Sequence, residues 1–123
     1  MILATLLWGC TAAPPTAEEL ASATHGDKPS GYQAKIRESF SSILLDPDSA
    51  SYEFSSTEQG WGADGASNVF GWVVWTKVNS RNRFGAYAGS ADYKVLLAND
   101  EVVGIYELSG TNETGEPLYE RLF

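Results

Sequence analysis

The stretch Val69–Gly89, VFGWVVWTKVNSRNRFGAYAG, constrains this chain more than any other. Its first half, Val69 to Val78, is rich in Val and Trp, which pack well on a pleated surface. Successive side chains of a strand point to opposite faces. Phe70, Trp72, Val74, Thr76 and Val78 therefore share one face, and Val69, Gly71, Val73, Trp75 and Lys77 the other. Both faces are apolar as far as Trp75, which predicts a strand inside a sheet rather than at its edge. Gly71 weakens such a strand and admits close approach of a neighbour. The second half changes character. Asn79-Ser80-Arg81-Asn82-Arg83 is polar, and Phe84-Gly85-Ala86-Tyr87-Ala88-Gly89 alternates aromatic and small residues. Turn chemistry alone explains these residue types, giving an ordinary strand connection with Phe84 and Tyr87 packed on the core. The functional alternative is a binding loop in which Asn79, Arg81, Asn82, Arg83, Phe84 and Tyr87 meet a ligand or partner.

The residues around this stretch supply the other elements. Ser30 followed by Gln33 matches a capping box, and Tyr32, Ile36, Phe40, Ile43 and Leu44 recur at helical spacing. One amphipathic helix is expected over Gly31–Leu45, stopped by Pro47, with a turn over Asp46–Ala50. Tyr52–Ser55 reads as a first strand, and Gln59–Asn68 as a Gly-rich loop around Trp61 without phosphate-cradling spacing. Beyond the central strand, Asp92–Ala98 and Glu101–Leu108 read as strands joined by a tight turn at Asn99-Asp100. Leu118–Phe123 fits either a short helix or a strand. These elements predict an α+β fold: one N-terminal helix packed on a four-stranded, mainly antiparallel sheet. Phe40, Ile43, Trp72, Val74, Val95 and Val103 are the expected core.

Length and charge narrow the function. A chain of 123 residues is one domain on length. Eight Lys+Arg against sixteen Asp+Glu leave a net charge of −8, which repels phosphate backbones, so no nucleic-acid partner is expected. The one Cys, Cys10, excludes an intrachain disulfide and any paired-cysteine zinc site. The one His, His25, lies in a stretch read as a linker, where the fixed geometry of catalysis is hard to maintain. Asp46, Asp48, Asp64, Asp92 and Asp100 are scattered without calcium-loop spacing, and no metal or cofactor is expected. No catalytic activity is expected either, although a carboxylate-based hydrolase needs only two acids in a cleft and stays as an alternative.

The N-terminus points to a location. Ile2–Trp8 is an apolar run too short to span a membrane but as long as a small secretory core. It ends Leu7-Trp8-Gly9-Cys10, which resembles the bacterial lipobox, with Trp8 where a small residue is usual and no basic residue before the run. Thr11 to Pro29 is rich in Ala, Pro, Thr and acidic residues and reads as a tether. The chain thus divides into a signal-like segment over 1–9, a lipidated Cys10 with a flexible linker over 10–29, and a single α+β domain over 30–123. Because Thr11 is not Asp, the resemblance implies the outer membrane, facing the periplasm.

Two further motifs resemble a group of small bacterial and phage-borne proteins, many of them lipoproteins without an assigned function. The first is Leu44-Leu45-Asp46-Pro47-Asp48-Ser49-Ala50, like their L-x-D-P-x-S-A turn. The second is Val78 to Gly89, like their V-N-x-K-N-x-F/Y-G-x-Y-x-G segment, with Arg81 in place of the usual Lys and Ala86 in place of a common Gly. The likeness covers roughly Ser30 to Leu108 and implies location and architecture, not a reaction. The expected role is a lipid-anchored envelope protein acting as a binding or structural module, its partner an unidentified envelope protein or ligand. A secreted inhibitor or adaptor is the alternative.

Overall fold

The computed structural model describes residues 14–44, 46–65, 67–81, 87–115 and 117–122, with backbone alone for 81, 87–90 and 109. The lipobox-like Leu7–Cys10 lies outside the described residues, as do Asn82, Arg83 and Phe84 of the expected binding loop. Two short helices, α1 (Ala17–Ser22) and α2 (Tyr32–Ser41), precede six strands: β1 (Ser51–Phe54), β2 (Glu58–Asp64), β3 (Ser67–Arg81), β4 (Tyr87–Ala98), β5 (Glu101–Thr111) and β6 (Pro117–Arg121). All pairings are antiparallel, in the order β1-β3-β4-β5-β6, with β2 also on β3.

The long central strand is where its Val/Trp run predicts. β3 is paired on both sides, with β4 along one edge and with β1 and then β2 along the other. β1 and β2 are successive lengths of one edge strand. Ser55 interrupts them, donating its N–H to the Trp75 carbonyl at 2.9 Å and accepting the Trp75 N–H on Oγ at 2.8 Å. The β4–β5 turn is also as expected. Asn99 and Asp100 both have positive φ, 53° and 65°, the backbone that a two-residue hairpin of this twist requires.

The expected α+β fold of one helix on a four-stranded sheet is corrected by this mostly-β architecture. Three stretches account for the difference. Gln59–Asn68, expected as a loop, forms β2 and the start of β3 in register from Glu58↔Val73 to Asp64↔Ser67. Gly60 and Gly62 sit where a side chain would collide with Val73 and Tyr106, and Gly65 has a positive φ of 61°, which together gave the stretch the composition of a loop. Pro117–Arg121 is a sixth strand on β5. Ahead of the expected helix, α1 carries its own capping box, Thr16 with Glu19. α2 is shorter than Gly31–Leu45, and its N-cap is Gly31 in the left-handed region, φ 62°, without a side-chain cap.

Two layers cover the sheet. α2 lies on one face, where Ile36 and Phe40 pack with Val74, Val78, Tyr93, Val95, Leu97 and Ile105. Three expected core residues, Phe40, Val74 and Val95, are fully buried here. Ile43 is instead 39% exposed, because the helix ends at Ser41 before carrying it over the sheet. Trp72 and Val103 are only partly buried. The other face holds a smaller cluster of Val73, Leu96 and Tyr106, flanked by Val69 and Val103. The β2–β3 hairpin curls over this second face, so that the Ala63 carbonyl of β2 accepts the Tyr106 hydroxyl of β5 at 2.8 Å. Gly71 permits the curl: a Cβ there would collide with the Leu97 carbonyl oxygen.

The segment before α2 is docked on the hairpin. His25 is buried edge-on against Phe70, ring centroids 5.9 Å apart, and the Trp72 indole N–H donates to the Gly26 carbonyl at 3.2 Å. The Ser30 N–H reaches Asp100 Oδ1 at 3.2 Å, and Lys35 Nζ pairs with Asp100 Oδ2 at 2.8 Å.

Candidate functional site

Under the curled hairpin, register alone places four side chains in one row across the sheet: Trp75 on β3, Lys94 on β4, Tyr106 on β5 and Arg121 on β6. Aromatic and cationic residues alternate along it. Lys94, Tyr106 and Arg121 of this row floor a cavity of about 250 Å³, walled by Trp61 of β2 and Tyr119 of β6 and bounded by Gly62, Ala63 and Gly65.

Lys94 is the centre of this site. The residue is 9% exposed although it carries a charge. Its Nζ lies 4.3 Å from the Trp61 ring centroid, 5.7 Å from Tyr119 and 5.9 Å from Tyr106. Among the described residues no carboxylate pairs with it. Burial pushes its ammonium down from 10.5 to about 8. The three ring faces act in the opposite direction, because their negative quadrupoles attract a cation.

The neighbouring groups are fixed. Tyr106 occupies a slot between strands: a Cβ on Gly62 would lie 2.5 Å from its hydroxyl, and one on Gly104 would lie 2.8 Å from its ring. Gly104, two residues back on the same strand, and Gly62 on the overlying β2 therefore make room for one ring. Burial raises the Tyr106 phenol above its ordinary range, so the hydroxyl is a donor, as its bond to Ala63 shows. Arg121 stacks over Tyr106, its guanidinium carbon 5.6 Å from the centroid. It donates through Nη1 to Asp64 Oδ1 at 2.7 Å and through Nη2 to the Val103 carbonyl at 2.9 Å. Arg121 is thus held in place, whereas the Lys94 charge, among the described residues, faces rings and the cavity.

A second, smaller cavity of about 80 Å³ adjoins the first across Tyr119 and is lined by Trp75, Asp92, Tyr93 and Leu108. Trp75, 40% exposed, and Tyr119, 36% exposed, tilt against each other at 6.2 Å. The Trp75 indole N–H donates to Glu58 Oε1 at 2.8 Å.

The expected binding loop falls between the end of β3 and the start of β4. Arg81 pairs with Tyr87 across it, with a register shift between Asn79 and Arg81, and the Asn79 Oδ1 is buried without a hydrogen bond. None of its described residues lines either cavity around Tyr119. Sequence reasoning missed Trp61, Lys94, Tyr106, Tyr119 and Arg121. One signal was available: in Asp92–Ala98 the apolar Tyr93, Val95 and Leu97 set one face, which puts Lys94 beside Leu96 on the other. A second lay in Gly60-Trp61-Gly62, where the period of two is that of a strand with one bare face.

Among the described residues no group of three or more His, Cys, Asp or Glu side chains is arranged to hold a metal, and no helix is long and apolar enough to cross a membrane. No family model, curated protein or solved structure matches the chain.

Proposed function

We propose that this chain is a lipid-anchored protein of the bacterial cell envelope, tethered through Cys10 to the periplasmic side of the outer membrane. It acts there as a small binding module without catalysis, with the Lys94 cavity as its ligand site. The observation that carries the binding role is Lys94 itself. Placing a cation out of water without an opposite charge costs stability. Local rules broken in this way without a compensating gain to the fold mark functional sites. The curled hairpin, the glycine slot and the fixed Arg121 keep the cavity open around that cation, a pre-formed site with few polar groups. Support for the anchor comes from the sequence, Leu7 to Cys10 with the polar stretch behind it.

Two measurements test the two halves. Full-length protein and Cys10→Ser are expressed in a bacterial host, and membranes are separated from soluble extract. The anchor predicts wild type in the membrane fraction and the variant released yet folded; equal solubility without acyl mass on the wild-type N-terminal peptide contradicts it. For the site, tryptophan emission is followed as envelope extract is titrated in, since Trp61 and Trp75 both border the cavities. Binding at the site predicts a saturable change that Tyr119→Ala abolishes. A change that survives Tyr119→Ala places the ligand elsewhere.

A further inference from the structure

Resting on the binding role just proposed, the geometry points to a class of ligand: we propose that the two cavities take a small organic anion with an apolar body. Its acid group meets Lys94, and its body lies against Tyr119 and Trp75.

Charge distribution gives the head of the ligand. The chain has only eight basic residues against sixteen acidic ones, and two of the eight, Lys94 and Arg121, line one cavity. An acidic protein that concentrates positive charge in an enclosed cavity attracts an anion there and repels it elsewhere. Arg121 is already held by Asp64 and the Val103 carbonyl, so Lys94 supplies the free charge. An ammonium with three donors beside ring faces recognises a carboxylate, sulfonate or phosphate oxygen as a point charge.

Shape gives the body. The cavities meet at Tyr119, and the smaller one is lined by Trp75 and Leu108 as well. Trp75, Leu108 and Tyr119 are all large apolar side chains left at least a third exposed. Rings and aliphatic groups of a ligand would cover them. Asp92 lines the smaller cavity and fixes the direction. A carboxylate at that end disfavours an anion, so the acid group sits at the Lys94 end and the apolar end runs toward Asp92. At about 250 Å³ and 80 Å³, the two spaces suit a compact molecule rather than the face of a bilayer.

Anilinonaphthalene sulfonate and its uncharged parent, phenylnaphthylamine, share the same rings and differ in the sulfonate. Both become fluorescent when bound, so each is titrated into wild type, Lys94→Met and Tyr119→Ala. Lys94→Met keeps the apolar bulk of the side chain and removes its charge. The expected result is sulfonate binding weakened about tenfold or more in Lys94→Met, with phenylnaphthylamine affinity changed less than about twofold. Tyr119→Ala weakens both probes. If Tyr119→Ala weakens both while Lys94→Met leaves the two equally affected, the cavity binds ligands but the anion assignment is overturned. If neither variant changes either probe, the cavity is not a binding site and the binding role falls with it. Competition then fixes the source of the anion. Octanoate displacing the sulfonate supports a free organic acid, whereas displacement only by phosphatidylglycerol vesicles overturns it in favour of a lipid surface.

Discussion

Two neighbouring rows of residues cross the same three strands. Val74, Val95 and Ile105 face α2, and all three are fully buried and apolar. Trp75, Lys94 and Tyr106, each one residue along from these, face the curled hairpin. They comprise an exposed ring, a desolvated cation and a ring clasped between glycines. A one-residue step in a strand exchanges its faces, so the contrast arises within single strands rather than between domains. The first face is built as a core. The second spends burial on groups that destabilise it, and it leaves a cavity. The difference teaches that stability here is supplied mainly from the helix side, which frees the hairpin side for binding.

The largest way to break this comparison is Phe40→Ala. Phe40 is fully buried and edge-on to Tyr93 at 4.9 Å, so truncation is expected to cost about 3–5 kcal/mol in denaturant unfolding. A cost under about 1 kcal/mol would mean that the helix face does not hold the fold. Gly62→Ala addresses the other face. The added methyl meets the Tyr106 hydroxyl and ring, and overpacking of this kind costs about 1–3 kcal/mol. The displaced ring should also abolish sulfonate binding in the same sample. A variant as stable as wild type with intact binding would show that the slot is loose.

Lys94→Met should act in the opposite direction, raising stability at neutral pH by about 1–2 kcal/mol as an unpaired buried charge is removed, less the lost attraction to the rings. Its pH profile sharpens the point. In the folded chain Lys94 titrates at about 8, below its ordinary 10.5. Between those values the unfolded chain holds a proton that the folded chain has released, so wild-type stability rises with pH from about 8. Tyr93, raised to about 12 chiefly by burial and then by the nearby Glu107, imposes a loss that begins above its ordinary 10.0. Stability measured by denaturant across pH 7–11 should therefore climb and then fall in wild type, and lack the climb in Lys94→Met. A flat wild-type profile over that climb would place Lys94 in water. The smallest effect belongs to Ile43→Ala, expected within about 0.5 kcal/mol because the side chain lies past the end of α2; a core-sized loss would extend the helix over the sheet.

Much of the helix-covered face was legible in the sequence. The Val69–Val78 alternation, the helical spacing of Ile36 and Phe40 and the Asn99-Asp100 turn are local patterns, and the structure uses each of them locally. The other face was not legible, because its meaning is relational. Gly60 and Gly62 look like loop residues, and Gly104 like a weak point of its strand, until Tyr106 and Val73 are seen filling the space they leave. Lys94 looks like an ordinary polar position of a half-exposed strand until the hairpin is seen closing over it. Residues far apart in the chain, Trp61, Lys94 and Tyr119 among them, meet only through the curl at Gly71. The polar run after Val78 stands out by composition, and its described part, Asn79 to Arg81, ends β3 without lining the cavity.

The account stands on Lys94 being a desolvated cation enclosed by rings, and its titration tests that most directly. With carbon-13 at the lysine Cε positions, a pH series by NMR reads each ammonium separately, and Lys94→Met assigns the resonance. One lysine titrating at about 8, absent from the variant, is the predicted result. A Lys94 resonance titrating at the ordinary 10.5 would show a solvated ammonium and contradict the enclosed site.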